Sequence, residues 1–123
     1  MSDGPGSQTS SGREFYERQI RLLQAKDAVR LVDEQYADDA TLVSFQNVIR
    51  GSEALKEYFR GYLELLGDLE LISTDKFRET HDSIFFEATV KTNFGRGRVY
   101  DAMVIQDGKI KYHFTGVIDD PPS

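Results

Sequence analysis

The sequence predicts an α+β domain in which a curved, mostly antiparallel sheet is covered on one face by two to three helices that come early in the chain. Three observations predict it. Apolar residues recur at helical spacing in three stretches before Gly67, and from Leu69 onward the apolar period changes to two. The alternating stretches are then separated by short turn sequences, His81-Asp82, Asn93 to Gly97 and Asp107-Gly108, of the kind that joins antiparallel neighbours.

Between Arg13 and Ala25, Phe15, Tyr16, Ile20, Leu22 and Leu23 form one stripe, with Glu14, Glu17, Arg18, Arg21 and Gln24 on the wet side. Gln19 interrupts the stripe and puts an amide in the middle of the apolar face, four residues after Phe15 and four before Leu23. Asp27 is an N-cap for a shorter helix through Ala28, Leu31, Val32 and Tyr36. Ala40 to Phe45 reads as a strand, turned by Gln46-Asn47 into Val48-Ile49-Arg50. Ser52 caps a third helix carrying Leu55, Tyr58, Phe59, Tyr62, Leu63 and Leu66, which Gly67-Asp68 closes. The strands expected next are Leu69 to Glu79, Ser83 to Thr92, Arg98 to Gln106 and Lys109 to Ile118.

At 123 residues the chain has the length of one domain able to bury a core. Residues 13–119 are expected to form it, with a disordered tail of Gly, Ser, Pro and polar residues at 1–12 and a short polar end at 120–123. The first twelve residues lack the basic-then-apolar order of a signal peptide. The absence of cysteine removes disulfide and thiol chemistry and favours a cytoplasmic setting. Asp and Glu outnumber Lys and Arg, 21 to 15, which argues against nucleic acid or an anionic membrane as a partner. No stretch approaches the roughly 20 apolar residues of a membrane span. Two separated histidines, no cysteine and no His-Glu-x-x-His spacing leave no metal site to expect, and Gly95-Arg96-Gly97 has no following helix with which to cradle a phosphate.

The run Val99, Asp101, Met103, Ile105 shares one side of a strand, so a carboxyl sits on an otherwise apolar face. Such a group is costly unless something uses it. Counting back from a tight Asp107-Gly108 turn pairs Ile105 with Ile110, Met103 with Tyr112, Asp101 with Phe114 and Val99 with Gly116. That register places Asp101 in an apolar pocket and turns His113 to the opposite side of the sheet. It leaves Tyr100, Ala102, Val104, His113, Thr115 and Val117 as a moderately apolar outer face suited to a homodimer.

Tyr36-Ala37-Asp38-Asp39-Ala40-Thr41, then Gly51-Ser52-Glu53-Ala54-Leu55, then Gln106-Asp107-Gly108-Lys109-Ile110 resemble the nuclear-transport-factor-2-like superfamily, and within it the SnoaL-like polyketide cyclases and the ketosteroid isomerases. The resemblance covers nearly all of Arg13 to Asp119. It implies a cone-shaped curved antiparallel (mixed) sheet, a cystatin-like α+β barrel, that encloses an apolar cavity, often with dimers formed through the outer sheet face. It also puts Asp101 at the position of the isomerases' oxyanion-hole acid. The isomerases' hydrogen-bonding tyrosine falls near Gln19 and their general base near Ser44, and a serine hydroxyl cannot shuttle protons between carbon atoms without a base beside it. The resemblance therefore does not carry ketosteroid isomerase activity.

The expected site has Asp101 as proton donor or acceptor at a carbonyl, with Gln19 and Tyr16 orienting the ligand. Ser44, Tyr58, Phe59, Tyr62, Phe86, Val99, Met103, Tyr112 and Phe114 would line a pocket for a hydrophobic small molecule, without any cofactor. Each residue also has a plainer reading. Asp101 and Gln19 can satisfy each other as a buried polar pair, and the aromatic stripe on the third helix can be simple core. Arg96 and Arg98 would recognise an acidic group at the cavity mouth or merely solubilise a hairpin. Enzyme, ligand carrier and dimeric interaction module all remain open at this stage.

Overall fold

The computed structural model describes residues 10–118, so of the expected tails only residues 10–12 are seen. Helix α1 (Ser11–Gln24) begins before the expected Arg13 because Ser10 caps it, its hydroxyl accepting a hydrogen bond from the Arg13 amide at 3.1 Å. Asp27 caps α2 (Ala28–Gln35) as expected, accepting from the Arg30 amide at 3.0 Å. Tyr36, expected in that helix, is instead the first residue of β1 (Tyr36–Val43), which a turn at Ser44 to Asn47 joins to β2 (Val48–Arg50). Helix α3 (Ser52–Leu66) has Gly51, not Ser52, at its N-cap, with φ of 94° and no side-chain capping bond. That backbone conformation is open to glycine and strained for other residues.

Four long strands follow: β3 (Glu70–Thr80), β4 (Ser83–Thr92), β5 (Gly95–Gln106) and β6 (Lys109–Ile118). The β4–β5 turn is shorter than expected. Gly95, Arg96 and Gly97 pair with Thr92, Lys91 and Val90, leaving only Asn93-Phe94 in the bend. All six strands form one sheet in the order β2-β1-β6-β5-β4-β3, antiparallel except for the parallel β1–β6 pair. Since β2 and β3 stay at opposite edges, the sheet is a curved, open cone and not a closed barrel.

The helices lie against the concave face. Leu42, Ile84, Phe86, Ala88, Met103 and Ile110 point inward from the strands and meet Phe15, Tyr16, Leu31, Val32, Leu55, Phe59 and Leu63 from the helices, all buried. Each large side chain removed from water here contributes about 1.5–3 kcal/mol before entropy is counted. The Tyr16 ring sits between Phe77, at 5.5 Å between centroids, and Phe86, at 4.4 Å.

One irregularity decides the chemistry of the concave face. The tight turn at Asp107-Gly108 forms, with both residues at positive φ, and the expected Ile105–Ile110 pair follows it. Val104 then pairs with Tyr112, so Lys111 is an extra residue on β6, a bulge. Beyond it the pairs are Met103 with His113, Asp101 with Thr115 and Val99 with Val117. A shift of one residue exchanges the faces of every later side chain. The bulge has a partner: β1 is irregular between Tyr36 and Thr41 where it runs beside β6, and the Lys111 ammonium is bonded to the Asp39 carboxylate there. Lys111 accordingly holds Asp39 below the usual carboxylate range.

Candidate functional site

The register shift corrects the sequence reading at five positions. Tyr112 and Phe114, expected to line the cavity, stand on the convex face, both exposed, with their rings stacked 6.2 Å apart. His113 and Thr115, expected on the outer face, turn inward, and Val117 flanks the cavity mouth. The convex face is therefore built from Phe85, Tyr100, Ala102, Val104, Tyr112 and Phe114. Arg98 alternates onto the same face, 3.4 Å from the Glu87 carboxylate, away from the position where an acidic ligand group was expected.

Between α1, α3 and the sheet lies an apolar cavity of about 90 Å³. Helix α1 contributes Gln19, Ile20 and Leu23, and α3 contributes Tyr58, Phe59, Tyr62 and Leu66. The sheet supplies Leu42, Phe86, Ala88, Val90, Val99, Asp101, Met103, His113 and Thr115. Eight of the twelve residues singled out in the sequence thus meet at one place: Gln19, Tyr58, Phe59, Tyr62, Phe86, Val99, Asp101 and Met103. Tyr16 does not line the cavity; its hydroxyl is 2.6 Å from Thr74 Oγ1 inside the core. Ser44 is spent on the β1–β2 turn, where its hydroxyl accepts from the amides of Gln46 at 3.3 Å and Asn47 at 3.1 Å.

Asp101 is the polar centre of this cavity. His113 Nε2 lies 2.6 Å from Asp101 Oδ1, and His113 Nδ1 lies 2.8 Å from the Tyr36 hydroxyl. Behind Tyr36 the contacts continue into α1 and α2. Gln19 Nε2 donates to the Tyr36 hydroxyl at 3.0 Å, Gln35 Nε2 donates to Gln19 Oε1 at 3.1 Å, and Arg18 Nε donates to Gln35 Oε1 at 2.7 Å. Gln19, Gln35, Tyr36 and His113 are each at least 95% removed from solvent, and no buried polar side-chain atom among the described residues lacks a partner. Asp101 Oδ2, by contrast, bonds to no protein group among the described residues, and the side chain keeps 13% of its surface open along the cavity.

Four tyrosines feel this carboxylate. Burial pushes the Tyr62 hydroxyl up to about 12, with Tyr58 and the Asp101 charge adding to the effect. Tyr58 is raised by burial and then by Asp101, Tyr36 strongly so by burial, and Tyr16 mainly by burial. Tyr58 and Tyr62 are thereby kept as neutral phenols on the cavity wall, able to donate hydrogen bonds. Their rings stack 5.6 Å apart and only 9° from parallel. The same two residues, with Val99 and Thr115, also border an outer groove that carries the exposed side chains of Phe45, Leu65 and Val117.

His113 is a cavity-lining residue that the sequence reading turned to the wrong face, as it did Thr115. The only available signal was the Tyr-His-Phe-Thr order itself, in which binary patterning favours the aromatics as the inward set.

No family model matches the chain, and no curated protein sequence matches it. Solved structures do. An NTF2-like protein of unknown function from Burkholderia xenovorans superposes with a TM-score of 0.75 over 92% of this chain and 87% of its own, at 16% identity. An NTF2-like protein from Anabaena variabilis gives 0.73 over 94% and 97%, at 18% identity. TerC, co-crystallised with polyporic acid, gives 0.72 over 89% and 92%, at 16% identity. The α1-to-α3 cover, the open six-stranded cone and these superpositions together show that this chain has the nuclear-transport-factor-2-like fold.

Proposed function

We propose that the chain binds a hydrophobic carbonyl compound in this cavity and moves a proton on it without a cofactor, in the manner of an isomerase, cyclase or hydrolase of the SnoaL-like type. The observation that carries the reading is Asp101: one carboxyl oxygen is fixed by His113, and the other opens onto an apolar chamber. A carboxylate held in that way is oriented to accept a proton from carbon beside a carbonyl and return it elsewhere on the same molecule. Tyr58 and Tyr62 line the same chamber, and their neutral phenols are suited to stabilise the oxygen on which negative charge develops. The chamber is well below the roughly 300–1,000 Å³ of a pocket that swallows a drug-sized molecule. Only the reacting end of the ligand fits inside, and its remainder lies past Tyr58 and Tyr62 along Phe45, Leu65 and Val117. That TerC was co-crystallised with polyporic acid supports ligand binding by this fold.

The test begins with mass spectrometry of whatever copurifies with the protein, followed by incubation of that complex in deuterated water. Wild type is expected to place deuterium next to the carbonyl, and Asp101→Asn to bind the compound without exchanging it. A second reading, a non-catalytic carrier, is favoured by one observation: both ring nitrogens of His113 are occupied by protein groups, so Asp101 Oδ2 stands alone as a proton-transfer atom. A wild-type complex that never exchanges would establish the carrier.

The convex face supports a further part of the reading, a homodimer. Phe85, Phe114 and Tyr112 are all exposed there beside Ala102, an apolar row suited to a second copy.

A further inference from the structure

We propose that Arg18, on the outer side of α1, sets the direction of a one-way hydrogen-bond relay that ends at Asp101 and fixes which nitrogen of His113 carries its hydrogen. The relay is Arg18, Gln35, Gln19, Tyr36, His113, Asp101, five contacts of 2.6–3.1 Å drawn from two helices and three strands. Two groups in it have no freedom. The Arg18 guanidinium can only donate, so the atom facing it must be Gln35 oxygen; the Phe15 carbonyl can only accept, and it lies 3.2 Å from Gln35 Nε2. The Gln35 amide is therefore held in one orientation from both ends. Its second N–H points to Gln19, which must present oxygen to it and turn its own nitrogen toward Tyr36.

The Tyr36 hydroxyl receives that N–H and has one hydrogen of its own. Tyr36 is 1% exposed, and the remaining atom within reach is His113 Nδ1. Were Nδ1 to carry hydrogen, the phenol hydrogen would be buried with nothing to accept it. His113 thus holds the tautomer with hydrogen on Nε2, and Asp101 Oδ1 accepts from it. Asp101 Oδ1 is the acceptor of the pair, so Oδ2 is the oxygen left to meet the ligand. Arg18, Gln35, Gln19 and Tyr36 are positioning residues, because only Gln19 also reaches the cavity.

This inference deepens the proton-transfer reading and rests on it for its purpose, but it is tested on the ligand-free protein. Histidine-selective ¹⁵N labelling and long-range proton–nitrogen spectra report which ring nitrogen is protonated, with His81→Gln removing the only other histidine signal. The expected result is a bare Nδ1 and a protonated Nε2 for His113. Gln19→Glu keeps the shape but has no N–H to offer Tyr36; the phenol then donates to residue 19, and His113 is expected to gain hydrogen on Nδ1. A wild-type His113 with Nδ1 protonated overturns the relay, whether or not the variant folds, and so does a folded Gln19→Glu protein whose His113 spectrum is unchanged. Failure of Asp101 to exchange a bound ligand would leave these spectra as they are, so the two ideas fall separately.

Discussion

His113 Nε2 and Asp101 Oδ1 are 2.6 Å apart on the concave face, although their strand positions are offset: His113 pairs with Met103 and Asp101 with Thr115. The contact is diagonal across neighbouring strands, on the same face, and exists because of the bulge at Lys111. It gives the carboxylate a fixed orientation.

Replacing Asp101 with Asn keeps an oxygen for the His113 Nε2–H, so the fold is expected to survive with a near-unchanged thermal midpoint. Proton transfer on the bound compound is expected to slow by about 10²–10⁴-fold. Deuterium incorporation measured side by side in the two proteins checks this, and an Asn variant as fast as wild type removes Asp101 from the chemistry.

Tyr36→Phe deletes the one hydroxyl that joins Gln19 to His113 and leaves both facing each other unpaired in the core. The expected loss of stability is about 1–3 kcal/mol. Urea unfolding should show a lower midpoint with an unchanged slope.

Alkaline pH should unfold the protein through its tyrosines. Tyr16, Tyr36, Tyr58 and Tyr62 all have folded values raised above the ordinary value near 10, Tyr62 to about 12. Stability from keeping these phenols neutral is full below about pH 10 and is lost as pH rises through the folded values, because the unfolded chain releases its protons first. Tyrosinate absorbance and circular dichroism recorded together should change in step for Tyr16 and Tyr36, the two that are fully buried. Ionisation of Tyr16 and Tyr36, each 1% exposed, at ordinary pH with the fold intact would contradict their burial.

Ala88 lines the cavity and is itself buried, so Ala88→Leu adds three carbons to a space of about 90 Å³. Stability is expected to hold or rise, as cavity filling commonly does, while the copurifying compound is lost. A variant that retains the compound places the ligand somewhere else.

On the convex face, Phe114→Glu puts a charge in the middle of the Phe85, Tyr112 and Ala102 row. Analytical ultracentrifugation is expected to show a dimer for wild type and a monomer for the variant. Monomeric wild type at micromolar concentration would end the proposal of pairing through this face.

Much of this protein was written locally in its sequence. The stripes around Leu22, Leu31 and Leu63, the Asp27 cap, the two-residue period after Leu69 and the Asp107-Gly108 turn each depend on neighbours a few residues away, and all are where periodicity and turn chemistry put them. Asp101 was legible for the same reason, since its place among Val99, Met103 and Ile105 is set by alternation within one strand. The tertiary structure alone decided what stands beside it. Whether His113 or Tyr112 faces inward depends on a single extra residue in β6, seated where Lys111 meets Asp39 of a strand more than seventy positions earlier. No local pattern encodes that contact, and a one-residue slip reverses every face after it. The sequence thus determined that a carboxylate enters an apolar hollow, and long-range pairing determined that it does so with a histidine at its side.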